Sequence, residues 1–404
     1  MFLPVPEQME RIREGTVEIV PEDELIEKLE RSRAEDKPLV VKQGFDPTRP
    51  DLHIGHAVSI QKLRTFQELG HDVVFVMGTF TALVGDPSGR DETRPMLSEE
   101  EIEDNLRTYE EQVFQILDPK KTEIRRNGEW LAPLTLVDIL QLTSQYTVSR
   151  VLARDDFATR HREGRPISLV EFLYPMMQAY DSVMLNADVE LGGTDQKFNL
   201  LLGRTLQEKA GQDPQICLIM PLLRGTDGVK KMSKSYDNYV GISMEPTEIF
   251  GRAMSIPDEL LEEWLTLSSS LAGSDLEERI TEAETDPLKA KRWLAMDLVE
   301  QYHGPTEAVD ARDLFDQVHR RREVPTDIPA VTLSLAGEKE VWIAQVLRDA
   351  GLANSSSEAN RLVLQGAVRI DGEVVTERDL QLGTGEYLIQ RGKRKFARVL
   401  LAEN

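Results

Sequence analysis

Two apolar runs flank a helical stretch within about forty residues of this chain, and no other feature restricts the fold as tightly. Leu39-Val-Val-Lys-Gln43 reads as a short strand. From about Gly55 to Leu69, Ile60, Leu63 and Phe66 recur at helical spacing, and Gly70 supplies the stop. Val73-Val-Phe-Val-Met77 reads as a second strand. Strand, helix and strand in so short a length form a crossover between parallel strands, which demands a sheet covered by helices. The apolar run 216–223 is a further buried strand. Ligands in such sheets sit beyond the carboxyl ends of the strands. Two short signals fall at such ends: Asp51-Leu-His-Ile-Gly-His56 and Lys230-Lys-Met-Ser-Lys-Ser235.

The first signal places His53 and His56 at the opening of a helix, where free N–H groups and a partial positive charge attract phosphate. Gly55 between them lets a ligand approach the backbone. Imidazoles there would donate hydrogen bonds to a transferring phosphoryl group, which helps only if they bind the in-flight geometry best. Read alone, the pair is equally a capping or surface feature. The second signal is a loop with Lys231 and Lys234 three residues apart, preceded by Gly225-Thr-Asp-Gly228. An ammonium on a flexible stem can follow a leaving pyrophosphate; a solvated basic turn is the plainer reading. Short motifs are weak singly. Together they describe one site that grips ATP by its triphosphate from both sides.

Other constellations complete such a site. Gly85-Asp-Pro-Ser-Gly89 is a turn presenting Asp86, or simply a Pro-Gly turn. Tyr174, Gln178 and Asp181 share one helical face, with Pro175 suited to the first turn; they line a polar pocket or bind buried water. Leu191-Gly-Gly-Thr-Asp-Gln196 offers a glycine-rich approach at Gly193, with Asp195 and Gln196 behind it.

A length of 404 residues implies two or three domains. The stretch of roughly 98–190 between the two signals reads as mostly helical, about 245–325 as helical with charged faces, and Pro325-Thr-Asp-Ile-Pro-Ala330 as a linker. Residues 341–404 give two short helices followed by turns at Asp371-Gly372 and Gly383-Thr-Gly385. No apolar run is long enough to span a membrane, and Met1–Glu10 lacks the pattern of an export signal. The single cysteine, Cys217, reads as a buried strand residue, and one cysteine fits a reducing cytoplasm. The net charge of −23 argues against a nucleic-acid partner. Its distribution does not: residues 341–404 carry nine Lys/Arg against eight Asp/Glu, while the rest carries 39 against 63. The cluster Arg391-Gly-Lys393-Arg394-Lys395 is either a local RNA grip or a solvated charge run.

At these motifs the chain resembles the bacterial tyrosyl-tRNA synthetases. The matching residues are Phe45-Asp-Pro-Thr48, His53-Ile-Gly-His56, Gly85-Asp-Pro-Ser-Gly89, Tyr174 to Asp181, Gly192-Gly-Thr-Asp-Gln196 and Lys231-Met-Ser-Lys-Ser235. Asn360 to Gly372 resembles a small RNA-binding fold shared with a ribosomal protein. The resemblance implies an α/β architecture. A Rossmann-like catalytic domain over 1–245 has its helical insertion at a homodimer interface. A helical anticodon-side domain over 246–330 and a small α+β RNA-binding domain over 341–404 follow. It also implies activation of L-tyrosine with ATP and Mg²⁺, then transfer to tRNA(Tyr) in the cytoplasm. Carried over by position, Thr48, His53 and His56 stabilise the transferring phosphate, and Lys231, Lys234, Arg90 and Arg94 hold the outer phosphates. Gly193 and Asp195 meet the ribose. Asp86, Tyr174 and Gln178 bind the ammonium of tyrosine, Asp181 its phenol and Gln196 its carboxylate end. The family's second phenol contact, a tyrosine, is replaced by Lys42, which can pair with Asp181 or point away. A tryptophanyl-tRNA synthetase shares both signals and is the nearest alternative. A small-molecule adenylyltransferase would leave residues 341–404 unexplained, and a non-catalytic RNA-binding protein would have no need of four intact phosphate-gripping groups.

Overall fold

Residues 2–47, 50–88, 98–319, 328–334, 340–392 and 395–402 are described by a computed structural model. They form two units, Met1–Ala308 and Val309–Asn404.

The first unit is built on a six-stranded sheet of β1 (Glu18–Val20), β2 (Val40–Phe45), β3 (Asp72–Met77), β4 (Thr122–Arg126), β5 (Val189–Gly193) and β6 (Ile216–Met220). The strand order is β1-β6-β5-β2-β3-β4. β2 to β6 pair in parallel, and β1 closes one edge antiparallel to β6. From β2 the chain winds outward through β3 and β4, then returns to β5 on the other side. The switch point, where a crevice opens at the carboxyl ends, therefore lies between β2 and β5.

The helix Ile54–Leu69 crosses from β2 to β3 as its apolar spacing predicts, burying Ile54, Ile60, Leu63 and Phe66 completely. Each such side chain contributes about 1.5–3 kcal/mol by leaving water. It stops at Gly70, whose φ of 94° is the left-handed conformation of a helix terminator. β6 is buried along its whole length and carries Cys217, whose thiol burial pushes upward.

Two features depart from the sequence reading. The stretch 98–190 is not only a helical insertion, because β4 lies inside it as a sheet strand paired with β3. Its sequence, Thr122-Glu-Ile-Arg-Arg126, has no apolar run because an edge strand need bury little. The antiparallel β1 is only three residues long, too short for any periodicity to announce it.

Beyond β6 come the helices Pro246–Met254, Leu261–Ser268, Gly273–Thr285 and Pro287–His303, the second of which carries the fully buried Trp264. The Trp264 indole donates to the Arg224 carbonyl at 3.0 Å, tying this helical layer to the loop that follows β6.

The second unit carries a five-stranded sheet of β7 (Ala330–Ser334), β9 (Val368–Ile370), β10 (Glu373–Val375), β12 (Gly385–Arg391) and β13 (Lys395–Ala402). Its order is β10-β9-β12-β13-β7. β8 (Glu340–Trp342) pairs separately with β11 (Gln381–Gly383). Helices Ile343–Asp349 and Ser356–Leu364 cover a core that includes Leu347, Val363, Ile389 and Val399. Ala330, read as the end of a linker, opens β7 instead. Among the described residues no helix is long and apolar enough to cross a membrane.

Candidate active site

The strand ends around the switch point enclose a cavity of about 300 Å³. His53 and His56 reach it from the start of the helix after β2, Asp86 from beyond β3, Asn127 from beyond β4, Gly193 from the end of β5 and Gln196 from the turn after it, and Lys231 and Lys234 from the loop after β6. Tyr174, Gln178 and Asp181 enter from the helix Tyr174–Leu185, whose first residue is Tyr174.

At one end the two imidazoles stack, with ring centroids 3.6 Å apart. His53 is the N-cap, and its backbone N–H donates to His56 Nδ1 at 3.3 Å. That bond leaves the His56 proton on Nε2, as a donor. Burial, with Lys234 and Lys231 nearby, lowers the His56 pKa to about 3. Burial, His56 and Lys234 hold His53 well below its ordinary value. Both rings are therefore neutral donors. His53 Nδ1 is buried with no hydrogen-bond partner among the described residues. Lys231 Nζ donates to Asp195 Oδ2 at 2.6 Å, and Lys234 donates to the Asp51 carbonyl. At Gly193 beside them a Cβ would stand 2.7 Å from Leu222 Cδ2 and 2.8 Å from Asp195 Oδ1, so a larger residue would displace both side chains.

The other end is carboxylate-rich. Tyr174 Oη donates to Asp46 Oδ2 at 2.9 Å, and Thr81 Oγ1 donates to Asp46 Oδ1 at 2.6 Å. Asn127 Nδ2 donates to Thr81 Oγ1 at 3.0 Å and to Asp181 Oδ2 at 3.3 Å. Trp130 Nε1 donates to Asp181 Oδ1 at 2.8 Å. Burial raises the pKa of Asp46 to about 7, reinforced by Asp86 and Asp181. Burial also raises Asp181 to about 7, against the pull of Lys42. Gln196 Nε2 donates to Asp86 Oδ2 at 2.7 Å, and Asn199 Nδ2 donates to both Gln196 Oε1 and Gln178 Oε1 at 3.0 Å. One cavity thus offers donors and ammonium groups at one end and acceptors at the other. That suits a polyanion joined to a small cation bearing a hydroxyl.

A family model described as class I tRNA synthetases (W and Y) matches residues 34–320, and an S4 domain model matches 341–386. The tyrosine–tRNA ligase of Carboxydothermus hydrogenoformans is 50% identical over 408 residues, covering 98% of this chain and 99% of that one. The chain belongs to the tyrosyl-tRNA synthetase family. The tyrosine–tRNA ligase of Geobacter sulfurreducens is likewise 50% identical, over 98% of this synthetase and 100% of that one. The crystal structure of a C-terminally truncated mitochondrial tyrosyl-tRNA synthetase from Aspergillus nidulans shares the fold. Its TM-score is 0.62 at 24% identity, covering 78% of this chain and 93% of that one.

Most of the residues singled out in the sequence of this synthetase line the one cavity. Thr48, Arg90 and Arg94 lie outside the described residues, as do Lys393 and Arg394 of the basic cluster. Arg391 is tied inward, donating to the Leu352 carbonyl and to Glu358 Oε1, both at 2.7 Å. It fastens the helix Ser356–Leu364 rather than facing outward, whereas Lys395 is exposed. Lys42 does not line the cavity; it forms an ion pair with Glu190 rather than with Asp181. Sequence reading passed over Asp46 as a bare motif letter, and over Thr81, Asn127, Trp130 and Asn199 altogether. Asn127 and Trp130 follow the unread β4, and recognising that strand was the signal that would have found them.

Proposed function

We propose that this synthetase activates L-tyrosine with ATP and charges tRNA(Tyr). The tyrosine carboxylate attacks the α-phosphorus, the bond to the β-phosphate breaks, and pyrophosphate leaves. A hydroxyl at the 3′ end of tRNA then takes the tyrosyl group from the adenylate, releasing AMP. Neither step needs a side-chain nucleophile, so positioning and charge stabilisation carry the rate.

The carrying observation is the two-ended cavity. His53 and His56 serve the transferring phosphate, and Lys231 and Lys234 the outer phosphates. Thr48, Arg90 and Arg94 are assigned by resemblance to the same phosphates. Asp195 and Gly193 serve the ribose, which requires ATP to draw Lys231 away from Asp195. Asp86, Tyr174 and Gln178 receive the ammonium, Gln196 the carboxylate end and Asp181 the phenol. Among the described residues no group of three His, Cys, Asp or Glu side chains could hold a metal. Mg²⁺ would come with the triphosphate, with phosphate and water as its main ligands.

The synthetase works as a homodimer in the cytoplasm. The helix Leu136–Thr143 supports this assembly, since it leaves Leu136, Val137 and Leu140 exposed along one face. The S4 domain supplies a local RNA grip on an acidic body, with Lys395, Lys393 and Arg394 as its basic cluster.

Tyrosine-dependent exchange of pyrophosphate into ATP tests the assignment. Exchange with tyrosine and none with tryptophan is expected; the reverse would make this a tryptophan enzyme. Deleting residues 341–404 should abolish charging of tRNA while sparing exchange.

A further inference from the structure

We propose that Asn238 is the positioning residue of the lysine loop, fixing the backbone from which Lys231 and Lys234 reach the cavity. The inference rests on the reading of those lysines as triphosphate ligands. Residues 223–232 fold back on themselves: the Met232 N–H donates to the Leu223 carbonyl and the Gly225 N–H to the Lys230 carbonyl, each at 2.8 Å. Arg224 and Lys231 face each other as an antiparallel bridge. Leu223 and Met232 are buried at the two ends of this turn, but the only apolar side chain between them, Val229, is exposed, so little apolar surface holds its interior.

Asn238 does that holding. It is 2% exposed and does not line the cavity. Its Nδ2 donates to Asp227 Oδ2 at 3.0 Å, to the Lys231 carbonyl at 3.2 Å and, more weakly, to the Lys230 carbonyl at 3.4 Å. Its Oδ1 accepts from the Ser233 N–H at 2.8 Å, and its backbone carbonyl accepts from Thr226 N–H at 2.8 Å. A carboxamide can donate at one end and accept at the other, which a carboxylate or hydrocarbon cannot do. The residue opposite is fitted to it, because a Cβ on Gly225 would lie 2.2 Å from Asn238 Cγ. From this one amide the backbone on both sides of Met232 is set. Lys231 is aimed at Asp195, and Lys234 at the Asp51 carbonyl beside His53. Asn238 touches no reacting atom and acts only through the lysines.

The test is tyrosine-dependent exchange by the full chain. Asn238→Asp keeps the shape and the acceptor but loses the amide donors and sets a charge against Asp227. It should lower kcat/KM for ATP about 100-fold, the scale of a displacement near 1 Å in a reacting group. Equilibrium tyrosine affinity should not change. Asn238→Ala, which adds no charge, should act in the same direction, and retained tyrosine binding certifies its fold. Adding Asn238→Asp to a chain that already carries Lys231→Met and Lys234→Met should cost little more than the two lysine changes alone, because Asn238 acts only through those lysines. Unchanged ATP parameters in both Asn238 variants, or a further multiplied loss in the combined variant, would overturn the role of Asn238. If Lys231→Met were itself harmless, the triphosphate reading beneath it would fail instead.

Discussion

Lys42 and Glu190 form an ion pair at 2.9 Å with each side chain only 1% exposed, behind Gln178 at the carboxylate-rich end of the cavity. Glu190 also accepts from Ser182 Oγ at 3.2 Å, from Gln178 Nε2 at 3.3 Å and from Gln215 Nε2. The pair therefore fixes the Gln178 amide and places a positive charge near Asp181. Lys42→Met alone strands a buried carboxylate and should destabilise the fold by about 3–5 kcal/mol. Lys42→Met with Glu190→Gln removes both charges and should recover most of that loss. Denaturant midpoints of the two variants decide it; equal losses would mean the pair is not a unit.

Asp181 is held by Trp130 and Asn127 so that its remaining acceptor capacity faces the cavity. A phenylalanine ring leaves that acceptor unsatisfied, at about 1–3 kcal/mol. Asp181→Asn turns a donor toward the donor of Asn127 and should weaken kcat/KM for tyrosine about 10- to 100-fold, on the same energy scale. Phenylalanine should be little affected. Exchange kinetics with both amino acids would show it, and parallel losses for the two would remove Asp181 from phenol recognition.

Burial raises the carboxyls of Asp46 and Asp181 to about 7, above an unfolded value of about 3.9. Asp46 faces Asp86, Asp181 and Tyr174; Asp181 faces Lys42 and Glu190. Between those values the native state holds protons that the unfolded chain has lost. Each group's cost to the fold is thus absent below about pH 4 and complete above about pH 7. An arriving ammonium favours the ionised form of Asp46, which adjoins Tyr174, and a phenol donor that of Asp181. Tyrosine binding should therefore release protons and tighten as pH rises from about 6 to 8. Calorimetry in buffers of different ionisation enthalpy measures this directly; proton uptake would contradict it.

The helix Leu136–Thr143 leaves Leu136 75%, Val137 60% and Leu140 60% exposed in one chain. Covering such side chains is worth about 1.5–3 kcal/mol each. Sedimentation should find a dimer, and Leu140→Glu should shift it toward monomer by several-fold in dissociation constant. A monomeric parent would exclude this face as the interface.

How far the sequence could be read follows from how far apart the partners lie. The crossover from β2 to β3 was legible because helical spacing and a terminating glycine are local signals. His53, His56, Lys231 and Lys234 were legible because each pair sits within a few residues. Lys42 was not, since a lysine in a strand looks solvent-facing until a glutamate 148 positions away is placed beside it. Asn127 and Trp130 were hidden for the same reason: their bonds to Asp181 span more than fifty residues and begin at an edge strand with no apolar pattern. The bond from Arg391 to Glu358 was equally hidden, because a basic cluster does not reveal which of its members closes onto a carboxylate 33 positions away.

The account depends on imidazoles and lysines sharing one triphosphate, and a structure with tyrosine and a non-hydrolysable ATP analogue addresses that most directly. Lys231 should have left Asp195 for the outer phosphates, Asp195 should meet the ribose, and His56 Nε2 should donate to the α-phosphate. A triphosphate bound elsewhere, with the 2.6 Å Lys231–Asp195 pair intact, would contradict it.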